Sequence, residues 1–133
     1  MKKTAASFAI MLFALLAHSQ TNLNFCTFVN SATEECVFDN TKFITTPDST
    51  HAKIFMLVRS ADVFGTTRLT YKLYSIDRFG AEVYLNAIVQ DVQTDWKNSW
   101  QPAVFVSPGK YLVKVYKDET NMLISRGFEF YNN

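Results

Sequence analysis

The chain has 133 residues, 48% of them hydrophobic and 15% aromatic, with only 19% charged. That is one domain's worth of apolar side chains, which excludes intrinsic disorder, and four glycines and three prolines exclude a fibrous or low-complexity protein. A formal net charge of +1 leaves no electrostatic footprint for nucleic acid or for an anionic membrane surface.

Residues 1–20 read MKKTAASFAIMLFALLAHSQ. Lys2 and Lys3 make a positive start, Phe8–Ala17 is an unbroken apolar run, and Ala17 and Ser19 are the small residues that precede a cut before Gln20. This is the layout of a secretory signal peptide. The apolar run is too short to span a bilayer, which takes roughly 20 residues. Residues 1–19 are therefore expected to be a signal peptide and residues 20–133 a single β-sandwich domain, periplasmic or secreted. No stable membrane insertion is expected after cleavage. Losing Lys2 and Lys3 turns the formal charge of +1 into −1.

The mature chain opens on a strand at Asn24–Val29, followed by a turn at Asn30-Ser31-Ala32-Thr33. Cys26 and Cys36 are the only cysteines. In an oxidising compartment an even count favours a disulfide, here stapling the first strand to the next segment. Closing so short a loop is worth about 2.5–3 kcal/mol in the chain-entropy model. A redox pair normally has the C-x-x-C spacing, which is absent. Cys36–Asp39 and Lys42–Thr45 form an irregular second stretch, and Thr46-Pro47-Asp48-Ser49 reads as a turn. His51 is the one histidine left after processing. A zinc site on His51, Cys26 and Cys36 would need a fourth ligand and the loss of the disulfide, and a triad with Ser49 and Asp48 would need three loop neighbours to face one another, so His51 is expected in solvent before a strand.

Lys53–Arg59 is a continuous apolar run, the pattern of a strand covered on both faces or lying at a sheet centre. The Arg59–Gly65 connection carries Val63 and Phe64, which are expected to tuck into the end of the core. Arg68–Ile76 alternates, with Leu69, Tyr71 and Leu73 on one face. Asp77-Arg78-Phe79-Gly80 is a turn, and Glu82–Val92 returns, so the two form a hairpin. Gln93–Gln101 reads as a polar connection and Ala103–Val106 as a short strand. After a turn at Ser107-Pro108-Gly109, Tyr111–Tyr116 and Leu123–Tyr131 form a last hairpin closed by Lys117–Asn121. Seven or eight strands with no sustained helical period predict an all-β, two-sheet antiparallel sandwich, with a small closed barrel as the competing architecture.

Gly109-Lys110-Tyr111-Leu112-Val113 follows directly on that turn. A turn, then Gly-x-Tyr, then an apolar residue two places on resembles the tyrosine corner of immunoglobulin-like domains. The final hairpin likewise resembles the last strand pair of secreted bacterial immunoglobulin-like modules. The likeness covers about 25 residues at the end of the chain. It implies that the Tyr111 hydroxyl bonds backbone across the turn. Val113 stands where antibody domains carry a cysteine, so their inter-sheet disulfide is absent. The resemblance implies a fold and no activity, because sandwiches host many functions.

Both tryptophans fall in the stretch Asp91–Trp100. Trp96, Trp100, Asp95 and Asn98 are the candidate binding residues. Indoles stack on the apolar faces of sugars while amides and carboxylates bond hydroxyls, and the same residues serve as anchors in protein interfaces. Trp96, inside the polar run, is expected to be the more exposed and Trp100 the more buried. A calcium site on Asp91 and Asp95, or a hydrolase using that pair, rests on two carboxylates alone. Tyr74, Tyr84 and Tyr116 are expected on an outer sheet face. No catalytic constellation, metal site or cofactor is evident. The expected function is an exported, non-catalytic binding or protein-interaction module, with a protein or carbohydrate as partner. A surface or filament subunit assembling by strand pairing, and a carbohydrate-binding module using the Trp loop, are the competing readings. The exported protein should begin at or near Gln20; its intact mass checks this, and material still carrying residues 1–19 would refute it.

Overall fold

The computed structural model describes residues 21–37, 39–45 and 51–132. The signal-peptide segment and the turn at residues 46–49 lie outside the described residues. The described residues form ten strands: β1 (Thr21–Cys26), β2 (Phe28–Asn30), β3 (Glu35–Val37), β4 (Lys42–Thr45), β5 (Ala52–Ser60), β6 (Arg68–Ile76), β7 (Glu82–Asp91), β8 (Asn98–Phe105), β9 (Gly109–Lys117) and β10 (Asn121–Asn132). They build a three-stranded sheet in the order β1-β5-β8, facing a five-stranded sheet in the order β4-β10-β9-β6-β7. A short two-stranded hairpin, β2-β3, is added. The sandwich expectation is met, and among the described residues no barrel closes. Pairing is antiparallel throughout except that β4 runs parallel to β10.

The strand count exceeds the seven or eight expected because the first expected strand is broken in two and the irregular second stretch resolves into β3 and β4, which lie in different sheets. The first expected strand, Asn24–Val29, is broken at Thr27, where the chain leaves β1 to enter the hairpin β2-β3. The supposed connection Gln93–Gln101 ends earlier than expected, since Asn98–Gln101 is already strand β8, paired with β5. Polar residues and Pro102 hide that strand in the sequence. Its N–H groups are nevertheless used by β5 on one side, and proline is tolerated because β8 is an edge.

The core lies between the sheets. Leu23 and Phe25 of β1, Ile54, Met56 and Val58 of β5, Leu69, Tyr71 and Leu73 of β6, Val113 and Val115 of β9, and Phe128 and Phe130 of β10 are buried together. Alternation supplies each of these, since every second residue of a strand faces the same side. Phe64 tucks into this core as expected, but its neighbour Val63 is exposed. A second, smaller cluster of Cys26, Val29 and Leu57, with Cys36, Phe55 and Trp100 against it, sits on the other side of β5. Residues 54, 56 and 58 face the sandwich while 55 and 57 face outward, so the hairpin β2-β3 covers the outer face. This explains the unbroken apolar run of β5. Cys26 and Cys36 are disulfide-bonded, with Cα atoms 5.4 Å apart, and hold the hairpin down. His51 is exposed immediately before β5.

Between β8 and β9 the chain crosses from one sheet to the other. There the Tyr111 hydroxyl donates to the Ser107 carbonyl. Its ring stacks on Phe130 at 5.8 Å and lies 4.7 Å from Phe105. The corner thus ties the crossover to the core, and burial pushes the Tyr111 hydroxyl above the usual tyrosine range. Tyr111→Phe keeps the ring and removes the bond, and should cost about 1–2 kcal/mol in a urea melt. An unchanged midpoint would show that the bond contributes nothing.

Candidate binding cleft

The residues after β7 are pinned although several of their side chains are exposed. Gly65 and Phe64 donate backbone N–H groups to the Thr94 and Trp96 carbonyls, at 3.0 and 2.8 Å, and Ser60 donates to Lys97 at 2.8 Å. Gly65 takes φ 66°, a conformation that suits a residue without Cβ. Trp96 N–H closes a turn on the Gln93 carbonyl at 3.1 Å. The Trp96 side chain, 42% exposed, therefore projects from a fixed backbone.

Trp100 lies on the outward face of β8, opposite Leu57, and packs against the cluster beneath the hairpin. The two indoles accordingly divide as expected: Trp96 outward, Trp100 half-buried. They nonetheless line the same cleft, of about 470 Å³, together with Glu34, Gln90, Lys97, Asn98 and Ser99. Of the four candidate binding residues, Trp96, Trp100 and Asn98 meet in this cleft. Asp95 is exposed beside Trp96 and does not line it.

Two lining residues come from elsewhere in the chain. Glu34 ends the hairpin turn that Asn30 nucleates: the Asn30 side-chain oxygen accepts from Ala32 N–H at 3.0 Å, and its carbonyl accepts from Glu34 N–H at 2.7 Å. Glu34 sits at φ 56°, a left-handed conformation that costs on the order of 1 kcal/mol for a residue with a side chain. It is held there from two further directions. Its carbonyl accepts from the Arg59 guanidinium, and its carboxylate accepts from Asn98 Nδ2 at 2.9 Å. Gln90, at the end of β7, floors the cleft. Its Oε1 accepts from the Tyr71 hydroxyl at 2.9 Å and from Ser99 Oγ at 2.6 Å, and its Nε2 donates to the Trp100 carbonyl at 3.2 Å. Burial holds the Tyr71 hydroxyl above the ordinary tyrosine range.

The arrangement is a preformed hollow lined by indole surface, a carboxylate–amide pair and a lysine. It suits non-covalent binding. Sequence reasoning found the tryptophans and Asn98 from local composition. It missed Glu34, which lies 64 residues before Asn98, and Gln90, because no local signal marks either. Among the described residues no group of three or more His, Cys, Asp or Glu is placed to hold a metal ion. Asp91 and Asp95 belong to no such group. No helix among them is long and apolar enough to cross a membrane.

Tyr74, Tyr84 and Tyr116 stand on the outer face of the five-stranded sheet, as parity suggested. Tyr74 and Tyr84 meet edge to face at 5.7 Å, Lys114 lies 4.8 Å over Tyr74, and Lys72 lies 4.4 Å over Tyr116. Lys114 also bonds Glu82 at 2.8 Å. This row is internally satisfied by its own cations.

No protein-family model matches the chain, and no curated protein matches it. Among solved structures it is similar to an immunoglobulin-like protein from Pseudomonas aeruginosa, with a TM-score of 0.53 and 15% identity, over 86% of this chain and 99% of that one. It also matches 17% of a GH3 β-glucosidase from Bifidobacterium adolescentis, over 84% of this chain, at 10% identity and a TM-score of 0.40, too remote to bear on this chain.

The geometry separates the two tryptophans energetically. Trp96→Ala should change stability by no more than about 0.5 kcal/mol, as at other exposed sites. Trp100→Ala should cost about 2–3 kcal/mol, below the ~3–5 typical of a fully buried aromatic. Urea melts of the single variants check both values. Together with the tyrosine corner and the sheet topology, the likeness to the Pseudomonas protein establishes an immunoglobulin-like fold.

Proposed function

We propose that this chain is an exported, non-catalytic binding module that acts through the cleft between the β2-β3 hairpin and the start of β8. One observation carries the reading: the only two tryptophans of the protein line the same preformed hollow, and one of them is pinned by backbone yet exposed. Exposed aromatic anchors on rigid backbone are what interfaces spend their binding energy on, so the first partner expected is a protein segment that inserts there. The disulfide and the immunoglobulin-like fold are consistent with a periplasmic or extracellular setting. A second reading, carbohydrate binding, is favoured by the Glu34–Asn98 pair beside Trp96, because a carboxylate and an amide held together can share the hydroxyls of a ring stacked on indole.

Since no tryptophan lies elsewhere, intrinsic tryptophan emission reports occupancy of this cleft. Titration with chitohexaose, cellohexaose and maltohexaose should give a saturable emission change if the carbohydrate reading holds, abolished by Trp96→Ala. If none binds, cross-linking of the mature protein to its neighbours in the native host should yield adducts that Trp96→Ala suppresses about tenfold or more. Absence of any Trp96-dependent ligand in both experiments would overturn the proposal.

A further inference from the structure

The two sheets have four edge strands between them, β1, β8, β4 and β7. An edge presents unpaired N–H and C=O groups, and folded proteins normally block it. On β1 the Leu23 carbonyl accepts from Arg126 at 2.7 Å, Phe25 N–H donates to the Asp39 carboxylate at 3.2 Å, and the Phe25 carbonyl accepts from Asn40 N–H at 3.1 Å. On β8, Ser60 N–H bonds the Lys97 carbonyl, so alternate residues from Lys97 onward bond β5 and Asn98, Trp100, Pro102 and Val104 turn their backbone outward. There the Trp100 carbonyl is taken by Gln90, and Pro102 has no N–H to offer. β4 is only four residues long.

β7 has none of these three devices; its one irregularity is a bulge opposite Leu73 and Tyr74. Its ten residues, Glu82–Asp91, contain no proline, glycine, lysine or arginine. At one end Val92 N–H bonds the Thr67 carbonyl at 3.0 Å, and at the other Asp77 N–H bonds the Ala81 carbonyl at 3.0 Å. Counting in twos from each end, with the bulge opposite Leu73 and Tyr74 absorbing the change of phase, Glu82, Tyr84, Ala87, Val89 and Asp91 turn their backbone away from β6. Among the described residues no side chain bonds those groups. Tyr84 and Val89 are 57% and 52% exposed. β7 is exposed along most of its length, and a hollow of about 510 Å³ lined by Leu85, Ile88, Val104, Phe105 and Val106 opens beside it.

We propose that β7 accepts an extended segment of another polypeptide as a sixth strand of its sheet, with alternate apolar side chains of that segment entering the hollow between β7 and β8. Backbone bonds supply affinity in this mode and the hollow supplies selectivity. Charge decides the occupant. The only charges on β7 are acidic, Glu82 and Asp91, and Lys114 already holds Glu82. Full-register antiparallel pairing with β7 of a second copy would set Asp91 of each chain against Glu82 of the other, a like-charge contact at both ends. A foreign strand with apolar alternation and a cation opposite Asp91 meets no such conflict.

The test uses the mature protein and a fluorescein-labelled eight-residue peptide of alternating valine and threonine with arginine at both ends. Fluorescence anisotropy should show saturable binding, lost with the same peptide N-methylated at alternate residues. Val89→Pro and Ala87→Pro each remove an outward N–H that no internal bond uses, so each should stay folded by circular dichroism and weaken binding at least tenfold. Trp96→Ala should bind the peptide as the parent does, which separates this edge from the cleft. No saturable binding to the parent protein, binding indifferent to N-methylation, or a concentration-dependent dimer of the parent protein in sedimentation would each overturn the proposal.

Discussion

Strand β5 is apolar on both faces, and the outer face has to be kept from water. Ile54, Met56 and Val58 are covered by the opposite sheet, but Leu57 and Phe55 point the other way. A three-stranded sheet with no second partner would leave them wet. The chain meets the requirement by leaving β1 at Thr27 and folding a short hairpin over them. Val29 packs in the same outer cluster as Leu57, and Phe28 meets Phe55 edge to face at 6.1 Å. The hairpin's strands are three residues each, too short to persist alone, so the disulfide and the Arg59 bond to the Glu34 carbonyl fix it in place. The cleft is a by-product of this cover: the hairpin tip carries Glu34 to the start of β8.

The unequal sheets explain the rest of the asymmetry. On the β1 side, Arg126 of β10 reaches across to the Leu23 carbonyl, pairs with Asp39 at 3.3 Å and lies 5.4 Å over the Phe25 ring. One long side chain thereby closes that flank. On the β7 side, the sheets are joined through the Gln90 amide, which collects Tyr71, Ser99 and the Trp100 carbonyl. A buried polar network of this kind is tolerable only when satisfied, and it leaves the remainder of that flank open. Both candidate surfaces, the cleft and the β7 edge, lie on this flank.

Much of this was legible in the residues. Alternation marked β6, and turn chemistry at Asp77–Gly80 and Lys117–Asn121 marked the two long hairpins. Gly109-Lys110-Tyr111 identified the corner, and the two cysteines identified the bridge. The unbroken run in β5 announced cover on both faces without saying what supplies it. Other features left no local trace. β8 begins at Asn98 because Arg59 and Val58 of β5 are there to pair with, whereas Asn98–Gln101 alone reads as loop. Glu34 and Gln90 reach the cleft through tertiary packing, which composition windows do not encode. Of the candidate site, the aromatic half was visible and the polar frame was not.

The bridge between Cys26 and Cys36 also limits how the cover over β5 can open. Few contacts tie the hairpin to the sandwich apart from the outer cluster and the Arg59 and Asn98 bonds to Glu34. With the sulfurs reduced, those contacts alone would oppose its lifting away. Its detachment would lay bare Leu57, Phe55 and Trp100 while the two main sheets stay paired. With the sulfurs joined, the base of that segment stays anchored at Cys26 of β1, which pairs with Phe55 of β5. The bridge thus anchors the cover over β5 to the sheet that it covers, and reduction removes that anchor.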